Sequence, residues 1–185
     1  MVSVHPHDDL HSLPLFPLGT AVFPGSLLPL QVFELRYLQM IGECERLGTP
    51  FGVVTLTRGS EVHRPGSPAQ QFEPIGTRML LETVQRPQPG LLCIGCRALD
   101  TFEVIRTEQR SDGLWLGEVR PLPLEPTLAV PAHLGYLSDQ MTDVLQRLQD
   151  KTMDPQPWPH PWHADDCAWL SHRWSELLPL PTTMK

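Results

Sequence analysis

Prolines at positions 14, 17, 24 and 29, and again at 121, 123, 126 and 131, set the limits on what this chain can fold into. Proline removes a backbone donor and fixes φ, so no long helix or central strand runs through either cluster. In all, 21 of 185 residues are proline, roughly twice the usual ~5% share. The chain is expected to build many short elements joined by long ordered connections, with prolines at strand edges or bends.

Enough apolar surface remains for a core. Apolar residues make up 41% and charged residues 19%, which argues against gross disorder. The length suits one domain, or one domain with a small attached subdomain. The formal charge is −7, and the two lysines, Lys151 and Lys185, are joined by arginines scattered singly. Nucleic-acid binding rests on clustered Lys and Arg, so no nucleic-acid partner is expected. The G-x-x-x-x-G-K-[S/T] run of a P-loop is absent, and neither lysine sits where it would be desolvated beside a serine. The first residues, Met1 to Asp9, have neither the basic nor the apolar region of a signal peptide. No stretch is apolar enough to span a membrane. Cys44, Cys93, Cys96 and Cys167 are spread along the chain, as suits reduced thiols and a cytoplasmic location.

Periodicity divides the chain. Residues 1–12 read as a loose His-rich tail, and 13–33 as short strands with tight turns. Residues 34–47 read as a helix with Phe33, Tyr37, Cys44 and Leu47 on one face, stopped by Gly48. Strands are expected at 51–57, 74–85, 91–97, 100–107 and 114–120, with a polar loop at 58–71. After the stiff connector 121–131 comes a helix at 132–150 with the stripe Leu134, Leu137, Met141, Val144 and Leu148. A last helix, capped by Asp165 or Asp166, carries Cys167, Leu170, Trp174 and Leu177 and ends before Pro179.

The opening motifs resemble those of one family. Pro14 to Leu18 reads P-L-F-P-L, with Pro17 inside it. Phe23-Pro24-Gly25 follows, then Pro29-Leu30, Phe33-Glu34 and Arg36-Tyr37 leading into the first helix. Phe51-Gly52-Val53, Gly76-Thr77, Thr101-Phe102-Glu103-Val104 and Glu176-Leu177-Leu178-Pro179 continue the pattern, with Thr101 standing where the family has arginine. The chain is thus similar to the Lon protease N-terminal, substrate-binding domain family, well over residues 13–120 and loosely beyond. The resemblance implies an α+β fold: a PUA-like, mostly antiparallel β-barrel over 13–125, then a helical subdomain over 126–185. In the family another helix usually follows E-L-L-P, so the resemblance implies either a chain truncated at the C-terminus or a lost last helix.

Other constellations point elsewhere more weakly. Cys93 and Cys96 form C-x-x-C, but on a strand residues three apart face opposite ways, so neither a disulfide nor a zinc site is expected. His160, His163 and Asp165 are near in sequence, but loop histidines are usually solvated, and no metal or other cofactor is expected. Trp158, Trp162, Trp169 and Trp174 suit burial against the helical stripe better than a recognition surface. Ser138, Asp139, His133 and His172 supply the letters of a triad without a nucleophile elbow. Glu34 and Arg36 read as a helix cap and a salt bridge. No catalytic residue is assigned.

The resemblance implies non-catalytic recognition of unfolded or apolar polypeptide, in possible partnership with an ATP-dependent protease. Loops on a rigid scaffold usually carry recognition. That places peptide contacts at the Pro24-Gly25 turn and at Arg58-Gly59, where the 58–71 loop begins. A hydrolase and an RNA-binding PUA-like module are the alternatives.

Overall fold

A computed structural model describes residues 10–62, 66, 68–149, 158 and 160–185. The strands are β1 (His11–Leu18), β2 (Leu27–Val32), β3 (Phe51–Arg58), β4 (Gln71–Gln88), β5 (Leu91–Gln109) and β6 (Trp115–Pro121). Helix α1 (Leu35–Leu47) lies between β2 and β3. Helices α2 (Gly135–Gln149) and α3 (Cys167–Leu177) follow β6. The sheet order is β2-β5-β4-β3-β1-β6, and β5 also pairs with β6. Five strands therefore close into a ring, with β2 added to the outer edge of β5. All pairs are antiparallel except β1 with β3.

The prolines sit where a missing donor does least harm. β1 pairs with β6 over His11–Leu15 and with β3 over Leu15–Leu18. Only Leu15 has partners on both sides, so Pro14 and Pro17 each face a single ladder. Pro29 lies in β2, which pairs only with β5. Its missing N–H blunts an edge that would otherwise invite another strand.

Two residues of the expected N-terminal tail, His11 and Ser12, begin β1. Residues 1–9 of that tail, with His5 and His7, lie outside the described residues, as does Lys151. The expected strands at 91–97 and 100–107 are one 19-residue strand, β5. Register shifts in its ladders with β4 and β6 bend it enough to serve β2 at one end and β6 at the other without a break.

Among the described residues three apolar clusters hold the fold. One lies under α1, where Tyr37, Met40, Ile41 and Cys44 meet Phe16, Phe51 and Cys96. The second fills the ring, with Leu13, Leu15, Val54, Phe102 and Val119. Phe102 explains two motif glycines. A Cβ on Gly76 would lie 2.5 Å from its ring and one on Gly52 2.7 Å away, so only glycine fits. The third cluster joins α2 and α3 through Met141, Leu145 and Leu170, with the tryptophans packed around it. Leu145 is the buried member of the α2 stripe that the sequence pattern did not single out.

Phe33 does not join the core. It is 54% exposed. The helix begins only at Leu35, with Glu34 extended at φ −77° and ψ 135°. Outside the 3.6-residue repeat, Phe33 does not share the face that buries Tyr37.

Candidate functional site

The Phe23-Pro24-Gly25 turn is fastened from three sides. Gly25 adopts φ +85°, a left-handed conformation that glycine takes without strain. Its N–H donates to the Ala98 carbonyl at 3.0 Å, and the Ala98 N–H donates to the Ser26 carbonyl at 2.8 Å. Thr77, beside the motif Gly76, donates its hydroxyl to the Val22 carbonyl at 2.6 Å.

The third fastening comes from α3. Arg173 is wholly buried. Its Nη2 donates to the Pro24 carbonyl at 3.1 Å, to Ser26 Oγ at 2.8 Å and to Glu176 Oε1 at 3.1 Å. Arg173 Nε lies 3.0 Å from Glu176 Oε2, an ion pair whose angle misses a good hydrogen bond. Glu176 also accepts from the Ser26 hydroxyl and, at 2.6 Å, from Trp158 Nε1. Burial pushes the Arg173 pKa down, and the Glu176 carboxylate opposes that shift. An isolated buried charge would be very costly; here paired charge and hydrogen bonds compensate it. The sequence reading missed Arg173 and Ser26. In sequence Arg173 sits among Ser171, His172, Ser175 and Glu176 of α3, and nothing local marks it as buried.

Beside this joint lies a cavity of about 330 Å³, lined by Pro24, Gly25, Leu99, Asp100, Thr101, Leu122, Pro123, Leu124, Glu125, Ala168, Trp169 and His172. It takes its walls from the turn, from the middle of β5, from the proline connector and from α3. Trp169 serves twice, packing on the helical cluster and facing the cavity. Leu124 is 83% exposed. His172 stacks on Phe23 with ring centroids 5.0 Å apart, and its Nε2 lies 3.2 Å from Glu125 Oε2. Burial lowers the His172 pKa, and the Glu125 carboxylate opposes the change, so the ring is mainly neutral at pH 7. Asp100 is held by Arg78 through two hydrogen bonds of 2.5 and 2.6 Å. A second cavity of about 330 Å³ shares Thr101 and reaches Val22, Phe23, Val53, Ile75 and Gly76.

The sequence-predicted residues divide between these places. Pro24 and Gly25 line the first cavity. Arg58 and Gly59 are exposed at the end of β3 and line neither cavity. Gly59 adopts φ +94° against the Gln70 backbone. Glu34 and Arg36 form the expected salt bridge at 3.0 Å, but the Glu34 side chain makes no cap hydrogen bond. Buried Arg36 instead donates from Nη1 to the Gly113 carbonyl at 2.8 Å, tying α1 to the β5–β6 turn. Its guanidinium lies 4.5 Å from the Tyr37 ring centre, and Tyr37 stacks on Phe16 at 4.0 Å. Asp166, not Asp165, caps α3 by accepting from the Ala168 N–H at 2.9 Å.

All four cysteines are free. Cys96 is fully buried while Cys93 is partly exposed, as opposite faces of a strand require. Burial, with a smaller contribution from neighbouring Cys44, pushes the Cys96 thiol up to about 12. Among the described residues no three His, Cys, Asp or Glu side chains are grouped so as to hold a metal ion. No helix among them is long and apolar enough to cross a membrane.

Comparison with known proteins agrees with this architecture. The crystal structure of a Lon N-terminal domain protein from Xanthomonas campestris superposes with a TM-score of 0.68 at 29% identity, covering 94% of this chain and 86% of that one. The N-terminal domain of a Mycobacterium avium complex Lon protease gives a TM-score of 0.51 at 14% identity, over 94% of this chain and 79% of that one, a likeness of fold alone. No curated protein matches the chain. The family profile described as the ATP-dependent protease La (LON) substrate-binding domain matches residues 12–182. With that span covering nearly all of the 185 residues, the chain belongs to the family of Lon substrate-binding domains.

Proposed function

We propose that this domain recognises exposed apolar polypeptide segments without catalysing a reaction on them, and that the cavity beside the Pro24-Gly25 turn receives them. The observation that carries this reading is the cavity's make-up. Pro24, Leu99, Leu122, Leu124 and Trp169 supply apolar walls, and the buried Arg173–Glu176 joint holds two of its sides in place. A largely preformed apolar cleft with a few polar groups suits an apolar side chain. The domain would hold polypeptide for an ATP-dependent protease, or act as an adaptor to one, in the cytoplasm.

The rival readings have less support. His172 pairs with Glu125 rather than with a hydroxyl or thiol, so it is not arranged as the base of a nucleophile. The described residues lining the cavity include Asp100 and Glu125 but neither lysine nor arginine, which is unsuited to a phosphate backbone.

Affinity is expected to be roughly micromolar to millimolar, because one small patch must offset the ordering of a flexible chain. Fluorescence anisotropy of labelled Leu- and Phe-containing peptides tests the reading against Leu124→Asp. Exposed Leu124 can be changed with little effect on the core, and the charge should weaken binding several-fold. Failure of every apolar peptide to bind, or equal binding by L124D, would overturn it.

A further inference from the structure

We infer that Glu125 makes this cavity selective, favouring polypeptide segments in which a bulky apolar residue is followed or preceded by lysine or arginine over those flanked by acidic residues. The inference rests on the reading of the cavity as a peptide site and adds a charge rule to it.

The charges at the cavity are unevenly compensated. Among the described residues two carboxylates line it, Asp100 and Glu125, and no Lys or Arg does. The two carboxylate oxygens of Asp100 are both taken by Arg78, and its side chain is 26% exposed. Glu125 is different. Its side chain is 57% exposed, and its partner is the His172 ring, which burial keeps mainly neutral at pH 7. A neutral imidazole can orient a carboxylate by hydrogen bonding but does not cancel its charge. Among the described residues the other charged groups acting on His172 are Arg173 and Glu176, and these are paired with each other. Among the described residues Glu125 thus remains as the uncompensated charge at the mouth.

Its position fits that role. Glu125 follows Leu124 directly, so an apolar side chain seated beside Leu124 and Trp169 brings its chain neighbours to the carboxylate. A basic neighbour would gain a charge pair there and an acidic one would meet like charge. At this exposure the effect is modest, roughly two- to fivefold in Kd for one pair. It should weaken with added salt.

The test uses three Gly/Ser host peptides identical except for Lys, Gln or Glu beside a central Leu. Each is titrated into the whole chain and into Glu125→Gln and Glu125→Lys, with thermal melts confirming that the variants fold. The expected order is Lys tightest and Glu weakest for the natural sequence, a flattened order in E125Q and a reversed order in E125K. If all three peptides bind the natural sequence equally, the charge rule fails while the peptide-site reading stands. An unchanged Lys preference in E125Q would refute the assignment to Glu125. If none of the three peptides binds, both readings fall.

Discussion

Replacing Arg173 by alanine should destabilise the protein more than any surface change of similar size. Arg173 is wholly buried and Glu176 is only 12% exposed, 3.0 Å from it. The substitution would leave the carboxylate in a nearly dry site, still accepting from the Ser26 hydroxyl and from Trp158 Nε1 but without its cation. It would also strip the Pro24 carbonyl of the guanidinium donor. Removing one partner of a buried pair costs roughly 3–5 kcal/mol. Removing both partners in favour of apolar residues, as in R173M with E176L, is often near neutral. The double variant should therefore be more stable than R173A, and a full double-mutant cycle should give a coupling of about 0.5–3 kcal/mol. Urea unfolding followed by tryptophan fluorescence reads these differences, and amide exchange across α3 and the Pro24-Gly25 turn shows whether the joint has opened. An R173A protein that loses less than about 1 kcal/mol, with unchanged exchange at Gly25, would refute the claim that this joint fixes α3 on the turn.

Phe102→Ala should cost about 3–5 kcal/mol, since the ring is 1% exposed and fills the inside of the sheet. Gly76→Ala should cost about 1–3 kcal/mol by forcing a methyl into that same ring; chemical denaturation checks both. Stability should fall as pH rises from about 9 to about 12. The folded thiol of Cys96 is raised from 9.0 to about 12 and the Tyr37 hydroxyl from 10.0 to about 12. Below their unfolded values both are neutral in either state, and as pH rises the unfolded chain gives up its protons first; melts across that range would show a flat profile if the burial were wrong. Iodoacetamide should modify Cys93 and Cys167 well before buried Cys44 and Cys96 under native conditions. Early labelling of Cys96, read by peptide mass spectrometry, would contradict its placement.

Much of the fold was legible because local signals and tertiary demands agreed. The F-P-G turn, the helix stop at Gly48 and the change of period near Pro121–Pro131 each express a backbone requirement that a single residue type meets. Gly76-Thr77 was recognisable only as a motif. Its reason, a ring packed on Gly76 and a hydroxyl holding the Val22 carbonyl, needed three dimensions. Phe33 is apolar yet exposed because it precedes the start of α1, where the 3.6-residue period does not yet hold. The sequence pattern breaks β5 at Ala98-Leu99, between the expected strands 91–97 and 100–107, but the backbone continues through that point, where its register with β4 shifts.

The candidate site was less legible. Its walls come from four segments distant in sequence, and no spacing rule links Pro24 to Leu124 or Trp169. Arg173 reads in sequence as an ordinary surface arginine. Only its contacts, 147 residues away at Ser26, reveal it as the pin of the joint. Trp169 could be assigned to the helical core by composition, but its second face toward the cavity could not.

Amide chemical-shift mapping with an apolar peptide tests the central claim most directly. The account predicts progressive, saturable shifts that cluster at Gly25, Leu99, Thr101, Leu124 and Trp169, around the cavity described here. Shifts confined to the segment from Arg58 to Gln71, or none at peptide concentrations up to about a millimolar, would contradict it.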